Sequence, residues 1–178
     1  MLAITLPFFI KTYNNSYDPS IPPFMQNAYL HFMSRFNMAK VQPDAYKAMG
    51  ALSKYIAESS VDKLQQELIR IRASQINGCA YCVNHHAKDA RKLGETEQRI
   101  YLISVWREAP NVFSEEEQLL LAMTEEITLI HQHGLSDELY NKAISLWDEE
   151  KTAQIIMTII TINAWNRIGV GLNMHPEL

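Results

Sequence analysis

The segment NGCAYCVNHHAKDARKLG, Asn77 to Gly94, holds both cysteines of the chain, Cys79 and Cys82, and two of its six histidines, His85 and His86. Two thiols at this spacing can cycle between dithiol and disulfide, form half of a metal site, or pack as small hydrophobes. On a helix, residues at i, i+3 and i+7 share one face. Cys79, Cys82 and His86 have that spacing. His86 falls between the thiols and farther along the axis. His85 points further round and Tyr81 nearly opposite, so these two are candidates for the pocket border only. The Asn77-Gly78 break places Cys79 at or near a helix N-terminus, where free N–H groups favour a thiolate. Helical Cβ atoms three apart lie about 5–6 Å from each other, and a disulfide wants about 3.5–4.5 Å. Closing the bridge therefore predicts a small distortion of the first turn, and such a bridge reopens readily. A metal site would need a fourth ligand, and no second Cys or His pair stands at a convincing distance. No metal is expected.

Glu67 lies twelve residues before Cys79. On its own helix it borders the apolar stripe of Leu64, Leu68 and Ile71. A carboxylate there is costly unless it is paired or protonated. One reading has the Glu67 head group reach solvent. The other has the Asn77-Gly78 turn fold the cysteine helix back, so that Glu67 meets His86. A carboxylate on one ring nitrogen leaves the other free to take a proton from a thiol.

The elements that must position these groups read as helices. YDPSIPPF (Tyr17 to Phe24) is an extended lead-in. FMQNAYLHFMSRFNM is an apolar helix candidate, and Pro43 sits in the first turn of the next. Ser60 to Ile76 forms a helix stopped by Asn77-Gly78. The C-x-x-C helix spans about 79–93 and ends at Gly94. Thr96 caps a helix running toward Pro110, Ser114 and Glu117 make a capping box, and Ser136 caps another. KTAQIIMTIITINAWNRIGVGL is long enough for a buried final helix or a subunit contact, despite its β-branched residues. The fold class is therefore all-α, of about seven or eight helices, with residues 1–23 as an arm and 24–178 as a single domain.

Composition narrows the function. At 178 residues the chain can bury one ordinary core, and 47% hydrophobic with 20% charged residues is a globular balance. A net charge of −4 and no basic aromatic stripe argue against nucleic acid. The apolar opening MLAITLPFFIKTYNN is broken by Pro7, lacks a charged leader and is too short to span a bilayer, which predicts a packing arm in a cytoplasmic protein with no membrane partner. In that compartment a lone C-x-x-C is catalytic or metal-binding more often than structural. His131 and His133 do not share a face. Trp165, Asn166 and Arg167 line either the site or a packing contact.

ELIRIRASQINGCAYCVNHHAKDARKLG resembles the core of the AhpD-like alkylhydroperoxidase branch of the carboxymuconolactone decarboxylase family. That pattern is a Glu, a C-x-x-C twelve residues on, and a His four after the second Cys, matched by Glu67, Cys79, Cys82 and His86. ETEQRIYLISVWREAP, MTEEITLI and INAWNR extend the likeness. The resemblance implies an AhpD-like helical fold, a homotrimer or trimer-based hexamer, and a cofactor-free peroxidase. It would reduce alkyl hydroperoxides or hydrogen peroxide in antioxidant defence and be recharged by an external dithiol or lipoyl-type protein. The branch carries a His just before the second Cys, where this chain has Tyr81, so that part of the proton relay is missing. Spacing and resemblance make Cys82 the attacking thiol and Cys79 its resolving partner; the helix-terminus argument favours the reverse. A thiol–disulfide oxidoreductase or a redox-sensing oligomer with little peroxidase activity remains the alternative.

Overall fold

A computed structural model of the chain describes Pro22 and residues 34–176. The expected arm at 1–23, Pro22 apart, and most of the helix candidate from Phe24 lie outside the described residues. The end of that candidate, Ser34 to Asn37, is not helical. Among the described residues there are eight α-helices and no strand, the all-α architecture expected.

All of these helices but one begin where a side chain takes up a free N–H; the exception begins at a proline. Asn37 caps α1 (Met38–Val41), and Pro43 opens α2 (Pro43–Ala57). Asp62 accepts from Leu64 and Gln65 to start α3 (Lys63–Ile76), three residues later than the sequence pattern placed it. Cys79 caps α4 (Ala80–Lys92), and Thr96 caps α5 (Glu97–Leu102). The helix expected to run on toward Pro110 tightens instead into a 3₁₀ segment, Ile103–Glu108, with Val105 off helical geometry at φ −128°. The Ser114–Glu117 capping box opens α6 (Glu115–Thr128), and Ser136 opens α7 (Asp137–Leu146). Asp148 caps α8 (Glu149–Gly171).

Helix α3 is the axle. It packs against α4, α6 and α8, and Leu68, Ile69, Ile71 and Ala73 have no exposed surface. Ile103, Leu120, Leu121, Met123, Ile155 and Ile159 complete the core around it. Burying such side chains contributes about 1.5–3 kcal/mol each. The β-branched run of α8 is helical throughout, and two of its buried hydroxyls are satisfied by bonding back along the helix. Thr158 donates to the Gln154 carbonyl at 2.8 Å and Thr161 to that of Met157 at 2.7 Å. The residues before α1 tie down the end of α8, where the Arg35 N–H donates to the Leu172 carbonyl at 2.9 Å.

Candidate functional site

The site is built on the turn between α3 and α4. Gly78 sits at φ +67°, in the left-handed region that ends α3 and reverses the chain. The Cys79 N–H then donates to the Ser74 carbonyl at 2.9 Å, and α4 starts antiparallel against α3. This folding back brings Glu67 and His86 together, with Glu67 Oε2 and His86 Nδ1 2.8 Å apart. Of the two readings of Glu67, the structure shows the inward one: Glu67 is buried, at 5% exposure.

The other carboxylate oxygen is held by Arg70, whose Nη1 donates to Glu67 Oε1. Arg70 Nη2 donates to Gln66 Oε1 at 2.8 Å, and the Gln66 amide donates to the Val61 carbonyl at 2.9 Å. Gln66, Glu67 and Arg70 thus form a braced set on one turn of α3. Burial lowers the His86 pKa from its ordinary 6.5, against the raising effect of Glu67 and with help from Arg70 and His85. Near neutral pH the contact is therefore a hydrogen bond from a neutral ring, not an ion pair. Nδ1–H donates to Glu67, and Nε2 keeps its lone pair.

Both sulfurs are buried, at 2% and 5% exposure, and are bonded to each other. The regular-helix wedge drawn from the sequence needs one correction. Cys79 is not the first helical residue. It is the cap, at φ −88° and ψ 87°, and its sulfur accepts from the Cys82 N–H at 3.3 Å. The chain leaves the helix at the residue that must reach back, which brings the two Cα atoms to 5.3 Å. His86 follows Cys82 by one helical turn on α4.

Of the two expected border residues, His85 packs its ring edge-on against His86 at 5.0 Å between centroids, and Tyr81 stands beyond it. Tyr81 lies parallel to the His85 ring at 6.3 Å between centroids. His85 is exposed and its Nε2 is 3.4 Å from Asp89 Oδ2. His85, His86 and Asp89 bring ligating atoms within 4.8 Å of one another, so among the described residues they form a group that could hold a metal. Neither cysteine belongs to that group.

Sequence reasoning missed three features. Arg70 was one. Another is a buried amide network from α8. Asn77 donates to Asn163 Oδ1 at 2.9 Å and to Asn166 Oδ1 at 3.0 Å, and Asn166 donates to Ser74 Oγ at 2.9 Å. Asn166 is therefore part of the frame that holds the turn, while Trp165 points away to bond Ser53. The last is Gly169, whose missing Cβ would lie 2.8 Å from Cys79 Sγ and 3.4 Å from Cys82 Sγ. The signal for it was a Gly-Val-Gly inside a helix, costly at about 1 kcal/mol per glycine without a packing reason.

Comparison with known proteins agrees with this architecture. Residues 43–125 match the carboxymuconolactone decarboxylase family. The uncharacterized protein YdfG of Bacillus subtilis (strain 168) is 42% identical over 138 residues, covering 78% of this chain and 93% of YdfG. ATU0492 of Agrobacterium tumefaciens, a protein of unknown function provisionally assigned to AhpD antioxidant defence, is 40% identical. Its crystal structure superposes with a TM-score of 0.79, covering 82% of this chain and 99% of that one. The debrominase Bmp8 shares the fold at 22% identity, with a TM-score of 0.69 over 78% of this chain and 74% of its own. Among the described residues no helix is long and apolar enough to cross a membrane. With a relative this similar along most of its length, the chain belongs to the carboxymuconolactone decarboxylase family and is AhpD-like.

Proposed function

We propose that the protein is a thiol-dependent peroxidase that reduces hydroperoxides through the Cys79–Cys82 pair. One observation carries the reading: the 2.8 Å contact between Glu67 and His86 on the helix that bears Cys82 one turn earlier. A neutral, oriented imidazole beside a thiol is what a general base requires.

In the cycle, His86 Nε2 takes the proton of the reduced Cys82 thiol. The thiolate attacks the distal oxygen of the hydroperoxide, the O–O bond breaks, and the alcohol leaves with the proton returned by His86. Cys82 is then a sulfenic acid, oxidised by two electrons as the peroxide is reduced by two. Cys79 attacks it, water leaves, and the disulfide forms. An external dithiol restores both thiols by exchange, supplying two electrons and two protons and leaving as its own disulfide. Buried sulfurs suit a small oxidant. The cap position of Cys79, with a backbone N–H on its sulfur, supports the opposite assignment of the two cysteines, and sulfenate trapping in each single Cys→Ser variant decides between them. A homotrimer or trimer-based hexamer in the cytoplasm, recharged by a lipoyl-type partner, completes the reading. Apolar side chains left exposed on the single chain, Tyr55 and Tyr101 among them, fit such an assembly.

The test is hydroperoxide consumption with dihydrolipoamide as donor. Wild type turns over, Cys82→Ser does not, and His86→Ala falls by about a hundredfold. Fast dithiol exchange without hydroperoxide turnover in the wild type would replace this reading with a thiol–disulfide oxidoreductase. A brominated pyrrole assayed alongside reports whether the pair instead serves the dehalogenation named for Bmp8.

A further inference from the structure

We infer that Gly169 of α8 is a positioning residue that sets the redox balance of the cysteine pair. The helix backbone passes so close over the bridge that only a residue without a side chain leaves room for the joined sulfurs. The inference rests on the thiol cycle proposed above and concerns its dithiol–disulfide equilibrium.

A Cβ at Gly169 would stand 2.8 Å from Cys79 Sγ and 3.4 Å from Cys82 Sγ. The first distance is closer than carbon and sulfur tolerate, so either the helix or the sulfur must move. The helix is held. Three residues before Gly169, Asn166 has no exposed surface and is bonded to both Asn77 and Ser74. Asn163 bonds Asn77 from one turn further back and donates to Thr128 on α6 at 3.0 Å. Beyond Gly169, the Met174 N–H closes onto its carbonyl at 2.9 Å, and Arg35 Nη1 bonds the Gly171 carbonyl at 3.1 Å.

The sulfur has freedom in one redox state only. In the dithiol each sulfur turns about its own Cα–Cβ bond, and Cys79 Sγ can swing away from a methyl group. In the disulfide both sulfurs are tied, and the clash stays. A methyl group at 169 therefore destabilises the oxidised pair more than the reduced pair. Glycine here costs helix propensity, and the retained space is what lets the bridge close.

The experiment equilibrates the protein with dithiothreitol. The disulfide of Cys79 and Cys82 accepts two electrons and two protons from the reagent's two thiols, which become its cyclic disulfide. For Gly169→Ala the constant for forming the protein disulfide falls about tenfold or more relative to wild type. Gly171→Ala, where an added Cβ meets nothing within 4 Å, keeps the wild-type constant and controls for helix propensity. An unchanged constant in Gly169→Ala, or an equal drop in Gly171→Ala, overturns the inference. If Gly169→Ala does not fold with the bridge closed, it is expected to fold in excess dithiothreitol, where Cys79 Sγ is free to swing away from the methyl group. Failure to fold in the reduced state as well means the helix itself refuses the methyl, which also overturns it. The equilibrium is read without hydroperoxide, so loss of the peroxidase reading and loss of this one are separate results.

Discussion

Two carboxylates on neighbouring helices, Glu67 buried and Glu125 partly buried, have opposite fates. Glu125 of α6 is saturated. Its Oε1 accepts from Trp106 Nε1 at 2.9 Å and Arg72 Nε at 2.7 Å, and its Oε2 is taken by Arg107. Burial would raise its pKa, but the hydrogen bonds from Trp106 and Arg107 and the charge of Arg72 outweigh that and lower it. Glu67 of α3 has one oxygen on Arg70 and the other on an imidazole whose pKa burial lowers from 6.5. Every donor around Glu125 is a permanent cation or an indole, so nothing there can exchange a proton at ordinary pH. At Glu67 the partner has a second nitrogen to spare. The same type of side chain serves as a rivet in one place and as the back of a base in the other, and the chemistry of its neighbours decides which.

Swapping a neutral amide into each place breaks the comparison if it is wrong. The larger effect belongs to Glu125→Gln, which takes the carboxylate from Arg72 and from the exposed Arg107 and leaves Arg72 its bonds to Gln75 and the Ser104 carbonyl. The loss is about 2 kcal/mol in folding free energy, read by urea denaturation, with turnover per folded molecule within about twofold of wild type. Glu67→Gln does the reverse. Stability drops by only about 1 kcal/mol, since Arg70 keeps Gln66, while kcat falls by tens-fold to about a hundredfold. Equal losses of stability and turnover in the two variants would erase the distinction.

The same contrast explains what could be read from the chain alone. Cys79, Cys82 and His86 were legible because helix periodicity, a local rule, puts them on one face; Glu67 stood between two readings, and the family pattern singled it out. The caps Thr96, Ser114 and Ser136 were legible for the same reason. Asn163, Asn166 and Gly169 act across more than eighty residues of sequence on a turn they follow. No periodicity links α8 to Asn77. The kink at Val105 escaped as well; Trp106, just after it, is buried and bonds Glu125 on α6, a contact that no local pattern reports. The off-helix geometry of Cys79 was foreseen as a distortion but not as a cap, since a sulfur serving as N-cap acceptor is rare among the usual Ser, Thr, Asp and Asn.

Acid sharpens the comparison further. The His86 pKa lies below 6.5, chiefly through burial, so the free base is lost only below that value. Turnover is expected to be flat above pH 6.5 and to fall on an acid limb below it, by about tenfold per unit once the ring is mostly charged. Stability follows the same sign. Between the folded-state pKa and 6.5 the unfolded chain binds more protons than the folded one, so the fold weakens as pH drops through that window. Glu125, with its pKa already lowered, contributes its own loss only at lower pH. A turnover limb centred above 6.5 would mean that the Glu67 carboxylate, not burial, governs the ring.

The smallest effect tests whether the site ends at His86. His85 is exposed, stacks beside Tyr81, and spends its Nε2 on Asp89, so His85→Ala should leave kcat on the plateau within about threefold of wild type. Its charge is one of the influences that lower the His86 pKa, behind burial and Arg70. Removing it should move the acid limb slightly toward higher pH and leave its shape unchanged. A plateau loss as large as that of Glu67→Gln would place His85 in the proton path, on the side where Tyr81 stands in for the family histidine. An intact plateau with that slight shift would confine the chemistry to the four residues that the α3–α4 turn draws together.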